Sequence, residues 1–254
     1  MGLFNFRKKN KDENSNQKQV TDQGKYIGDL EKTAILSDLF NISHQSRDGE
    51  WKTNFLSHVA EASFACGQPQ ILQGPDRFPY FNLQIPEPNR PFQCYVVKHI
   101  IQDFILDQGI GIAINANKGQ PDWVFTYGEL INYYLNEEFY SPIPKTSLPK
   151  EETLSHSEQV LMGQPSESFL PAKSRTVIRN FLTQQGINDV KIMLMSRNYG
   201  GEIIQELVSN LTPSKVGNDH YEVLSRYLKW FLPNHYSFIA MDENSSFKDN
   251  FELL

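Results

Sequence analysis

The chain has 254 residues, a formal net charge of -6, 39% apolar and 12% aromatic residues, and two cysteines, Cys66 and Cys94. That length buries a sizeable core, as one large or two small domains, and the acidic balance argues against wholesale nucleic-acid binding. Two cysteines exclude a disulfide framework and a cysteine-based zinc site, no apolar run approaches the roughly 20 residues of a membrane helix, and a reducing cytoplasm is the expected setting.

The chain opens Met-Gly-Leu-Phe-Asn-Phe-Arg-Lys-Lys. Its apolar part is too short for a signal peptide and its charges follow that part. Phe6 stands where a myristoylation site wants Ser or Thr. Arg7 to Lys25 are nearly all polar, so residues 1–25 are expected to be a disordered tail. Leu3, Phe4 and Phe6 beside Arg7, Lys8 and Lys9 give that tail an apolar, basic tip suited to a membrane surface or a partner groove.

An α+β module is expected over 26–140, opening with a helical hairpin. Its first helix runs Asp29 to Phe40, with Leu30, Ala34, Ile35 and Leu39 at helical spacing, and the second Gly49 to Phe64, with Trp51, Phe55, Leu56, Val59 and Phe64 on its apolar side. Gln70 to Leu72 reads as a short strand, and Tyr80 to Ile85 alternates like a half-buried one. Pro91 suits an early helical position, in a helix reaching Gln108. Gly109 to Ala116 matches neither phosphate-loop spacing. Ile110, Ile112 and Ile114 alternate instead, as in an interior strand. A turn, the strand Trp123 to Phe125 and a helix Tyr127 to Tyr140, with Leu130, Ile131, Tyr134 and Leu135 buried, complete the module.

Residues 141–157 hold three prolines and no periodicity, as a linker would. Residues 158–254 form the second module. A strand near Val160 leads to a helix from Pro171 to Gln185, a strand Val190 to Met195 and a hairpin-type turn Asn198-Tyr199-Gly200-Gly201. The strand Glu202 to Leu211, the helix Asn218 to Phe231 and the strand Tyr236 to Met241 follow. The succession β-α-β-β-α-β predicts an antiparallel sheet with both helices on one face.

The run Val160 to Met195, with Gly163-Gln164-Pro165, Leu170-Pro171 and Val190, resembles the C-terminal domain of the SseB family (enhanced serine sensitivity). Ile110 to Asn115 followed by a turn, Trp123 to Phe125 and a helix is similar, more loosely, to that family's N-terminal module. The family's strand continues Asn-Pro where this chain has Asn115-Ala116. The resemblance implies a cytoplasmic bacterial protein of two α+β modules, with no established enzymatic activity and no cofactor.

Chemical signals are sparse. Cys94 and His99 are five apart, near opposite sides of a helix, and form no metal pair. Ser57-His58 lacks a nucleophile elbow, and no G-x-S-x-G occurs. Glu137-Glu138, as sequence neighbours, face apart on a helix, and Glu151-Glu152 lie in the linker. Arg175 and Arg179 share a helix face on which a carboxylate or phosphate can dock, and Tyr133, Phe139, Tyr140 and Trp230 are aromatics of the kind enriched at interfaces. These six residues are the expected interaction surface. The expected function is a non-enzymatic, protein-binding adaptor or regulator of SseB-like type. It binds another protein, with no nucleic acid, metal or cofactor. Two alternatives are an immunity or antitoxin-like protein covering a basic toxin and a hydrolase with a dispersed site using His58 or His99.

Overall fold

The computed structural model describes residues 27–143, 160–199 and 202–254. The tail expected at 1–25, most of the linker expected at 141–157 and Gly200-Gly201 of the expected turn lie outside the described residues, while Asn198 and Tyr199, expected in that turn, stand in a strand. By its contacts the chain divides into Met1–Ile100 with Ile112–Val124, and Ile101–Gly111 with Phe125–Leu254. This cut differs from the one drawn at the linker, because the helix after Phe125 packs with the later elements.

In the first unit α1 (Leu30–Phe40) is started by Asp29, whose carboxylate accepts from the amides of Glu31 at 2.9 Å and Lys32 at 3.1 Å. Leu36 and Leu39 are its buried residues, while Leu30 is 67% exposed, so the buried stripe is rotated from the expected one. Asp48 caps α2 (Gly49–Val59), which buries Trp51, Phe55 and Val59. The expected extension of α2 to Phe64 fails because Phe64 exchanges both main-chain hydrogen bonds with Tyr95, each at 2.8 Å. That pairing also keeps Pro91 outside a helix, and α3 begins only at Val97 (Val97–Ile100).

The first sheet has the order β1-β2-β3-β4, from Ala65–Gln73, Pro79–Gln84, Gly111–Ile114 and Trp123–Phe125. β1 is far longer than the expected Gln70 to Leu72 and is irregular: Cys66 lies opposite Leu83, and Ile71 opposite Phe81. The residues between, Gly67 to Gln70, stand against Asn82, whose Nδ2 donates to the Pro69 carbonyl at 3.0 Å. β2 was expected to have one polar face, yet Asn82 is fully buried. β3 is buried at every position and is interior to the sheet, as its isoleucines predict.

In the second unit a π-helical stretch, Ile101–Ile105, passes into α4 (Leu106–Gln108), which Gly109 ends at φ 65°. Gly109 is doubly constrained, since a Cβ there would lie 2.4 Å from Val177 Cγ1. α5 (Tyr127–Asn136) opens with a capping box between Thr126 and Glu129 and stops at Glu137, short of the expected Tyr140, through a left-handed turn at φ 59°. Tyr134, expected to be buried, is 41% exposed. Gly128 lets α5 approach the main chain at Leu232, where a Cβ would meet the carbonyl oxygen at 2.1 Å.

The second sheet contains β5 (Val160–Gly163), β6 (Lys191–Tyr199), β7 (Glu202–Ser209) and β8 (Ser237–Ala240) in that order, with β9 (Glu252–Leu253) on β6. α6 (Ala172–Gln184) joins β5 to β6, and α7 (Pro213–Val216) with α8 (Asn218–Phe231) joins β7 to β8. The α+β class holds, with one difference in the sheet. β5–β6, β6–β7 and β6–β9 are antiparallel, but β7–β8 is parallel. The sheet is therefore mixed, and it is not a split βαβ arrangement. β5 pairs directly with β6, leaving no gap for a strand between them, and the crossover through α8 returns β8 parallel to β7.

Both helices cover one side of this sheet. Ile178 and Leu182 of α6 and Leu228 of α8 close over Ile192, Leu207 and Phe238, leaving a gap of only ≈ 10 Å³. Phe181 bridges the helices, with ring centroids 5.8 Å from Tyr227 and 4.9 Å from Phe231. The opposite side is a second small core of Met193, Met195, Val208 and Phe251, flanked by Met162, Ile239 and Phe247.

Phe181→Ala should cost about 3–5 kcal/mol, the usual loss for a buried phenylalanine, because Phe181 is 3% exposed between the two helices. Leu253→Ala, at a position 67% exposed on β9, should cost less than about 0.5 kcal/mol. Denaturant melts of the whole chain measure both, and equal small effects would remove the helix-on-sheet core.

Candidate functional site

Two of the six residues expected at a surface are interior. Phe139 is 5% exposed and stacks between Tyr133, at 4.5 Å, and Phe125, at 4.2 Å. Trp230 is 6% exposed, stacked 6.3 Å from Tyr127. Aromatic rings fill a core as readily as they face a partner, and here the core took both. Tyr133, Tyr140 and Arg175 are half-buried and Arg179 is exposed. The two arginines are engaged within the chain. Arg175 Nη2 donates to Glu167 Oε1 at 2.8 Å, and Arg179 Nη1 to the Leu254 main-chain oxygen at 2.8 Å. Glu167 also accepts from the Ala172 amide at the start of α6.

His58 Nδ1 is 2.9 Å from Ser57 Oγ and 2.7 Å from the Asn54 carbonyl, all within the C-terminal half of α2. A helix C-terminus presents carbonyl oxygens, the wrong polarity to stabilise an oxyanion beside that serine. Cys66 and Cys94 are free thiols, and burial pushes the Cys66 thiol up, away from the reactive thiolate. Among the described residues no group of three or more His, Cys, Asp or Glu is placed to hold a metal.

The strongest polar clusters join elements. Asn115, at φ 56°, ends β3. Its Oδ1 accepts from the Ile85 amide at 3.1 Å and its Nδ2 donates to Asp122 Oδ2 at 2.6 Å. Asp122 Oδ1 takes Arg47 Nη2 at 2.5 Å, while Arg47 Nη1 donates to the Asp122 carbonyl at 3.0 Å. The guanidinium carbon lies 4.6 Å from the centre of the Trp51 ring. This chain of contacts ties the helical hairpin to the β3–β4 turn. In the second sheet Arg197 Nε donates to Glu206 Oε2 at 2.9 Å, with the residues 5% and 0% exposed. The Ser237 hydroxyl reaches Glu206 Oε1 at 3.4 Å, so the buried pair spans β6, β7 and β8. Tyr127, fully buried, donates to the Leu106 carbonyl at 2.8 Å and lies 3.3 Å from Ser174 Oγ.

Sequence reasoning missed a bare end of the second sheet. Residues directly opposite in an antiparallel ladder share a side, and sides alternate along a strand. Leu161 lies opposite Ser196, Ser196 opposite Gln205, and Asn198 opposite Ile203. This set falls on the side of Ile192 and Leu207, the side that α6 and α8 cover nearer the sheet centre. Here the helices no longer reach. Leu161 is 77% and Ile203 78% exposed, beside half-buried Ser196 and exposed Asn198 and Gln205. None of the five is titratable. The signal was present as apolar residues in strand register, but the length of the hairpin beyond its helices is not written in either strand.

Three carboxyls among the described residues have displaced titrations: Glu61, Glu129 and Glu243, the last held down chiefly by its hydrogen bond with Asn210. Glu61 is held down to about 2 by its contacts with Lys32 and Lys98, the latter at 2.7 Å. Its stabilisation is present above the ordinary value of 4.5 and lost as pH falls towards 2. Glu61→Gln should flatten the acid limb of stability in that interval, and the two curves should converge below it. Thermal melts across pH test this, and parallel curves would show that the lysine contacts contribute nothing.

Glu129, 8% exposed, is displaced upward by burial, against hydrogen bonds from the Thr126 amide at 2.8 Å and from Asn234 at 3.4 Å. A raised folded value means its favourable contribution is complete below the ordinary carboxyl range and is lost as pH rises through the folded value. Glu129→Gln keeps an acceptor for the capping box. The variant should therefore gain stability relative to the parent between acid and neutral pH, and unchanged relative stability across that range would refute it.

No protein-family model, curated protein or solved structure matches the chain.

Proposed function

We propose that this chain is a protein-binding module, an adaptor or regulator of SseB-like type acting in the cytoplasm without catalysis, and that its contact face is the bare end of the second sheet. The observation that carries the reading is the exposure of Leu161 and Ile203, 77% and 78%, on one side of a paired sheet. Exposed aliphatic side chains held on rigid backbone are what a partner's apolar surface buries. Ser196, Asn198 and Gln205 between and beside them supply neutral donors and acceptors for a rim.

Further support comes from charged groups among the described residues that are engaged within the fold. Arg47 with Asp122, Arg197 with Glu206, and Glu61 with its two lysines each join elements of the fold. The residues that carry the SseB-like resemblance have structural positions: Gly163 closes β5 and Pro171 is the N-cap of α6. An uncharged face gives no complement to a basic toxin, which favours the adaptor reading over an immunity role. No helix among the described residues is long and apolar enough to cross a membrane.

A photo-crosslinking amino acid placed at Ile203, with the chain expressed in its native cells, should yield a discrete protein adduct. The same probe at Glu222, on the exposed side of α8, should not. Leu161→Asp should abolish the Ile203 adduct while leaving the circular dichroism spectrum unchanged. Equal labelling at both sites, or none at Ile203, would overturn the proposal.

A further inference from the structure

We draw no further inference here: the strongest candidate, the uncharged end of the β5–β6–β7 sheet around Leu161 and Ile203, belongs to the contact face already proposed, and nothing in the structure shows which partner covers it.

Discussion

The β6–β7 ladder is the constraint on which the second unit depends. It runs unbroken from Ile192 opposite Ser209 to Tyr199 opposite Glu202. β5 and β9 attach end to end along the outer edge of β6, and β8 attaches to β7. Because side chains alternate, this one register sends Ile192 and Leu207 to the helices and Met193, Met195 and Val208 to the opposite core. A slip by one residue would exchange the two sets. It would also separate Arg197 from Glu206, a pair whose burial makes a lost partner costly, about 3–5 kcal/mol in comparable cases.

The same ladder explains why the described residues leave a surface uncovered. α6 and α8 close over the sheet near Ile192, where Ile178, Leu182 and Leu228 leave almost no free volume. The hairpin continues past that contact, and Ile203 there faces outward beside Leu161 of β5. Strand length is therefore in excess of what the intramolecular core uses. In the first unit the polar chain Asn115–Asp122–Arg47 has the opposite character, since each group finds its partner within the fold. One place satisfies its chemistry internally and the other leaves contact surface unspent, which is why the functional proposal rests on the latter.

Much of the element order was legible in the chain. The helix Asn218–Phe231 and the strand Trp123–Phe125 stand at the expected limits, because each is bounded by strong local signals. The limits that moved were those decided by distant pairing. Phe64 continues the apolar rhythm of α2, yet it belongs to a strand-like bridge with Tyr95. Pro91 has the right chemistry for a helix start, and the same bridge delays the helix to Val97. For the candidate site, Trp230 and Phe139 are aromatic in a pattern that serves a surface or a core equally, and Tyr127 and Phe125 drew them inward. Leu161 and Ile203 carry no surface signal in the sequence, because aliphatic residues in strands are ordinarily buried.

By itself the sequence determined the α+β class, the helical hairpin at the start and the strand–helix succession after Val160. These follow from periodicity and from prolines and glycines, which act over a few residues. Tertiary structure alone decided that β8 runs parallel to β7, that Arg197 meets Glu206 in a buried face, and that the hairpin outruns its helices. Those outcomes depend on which strand edges meet and how far a helix reaches across them. Contacts between residues distant along the chain set both, and no local pattern encodes them.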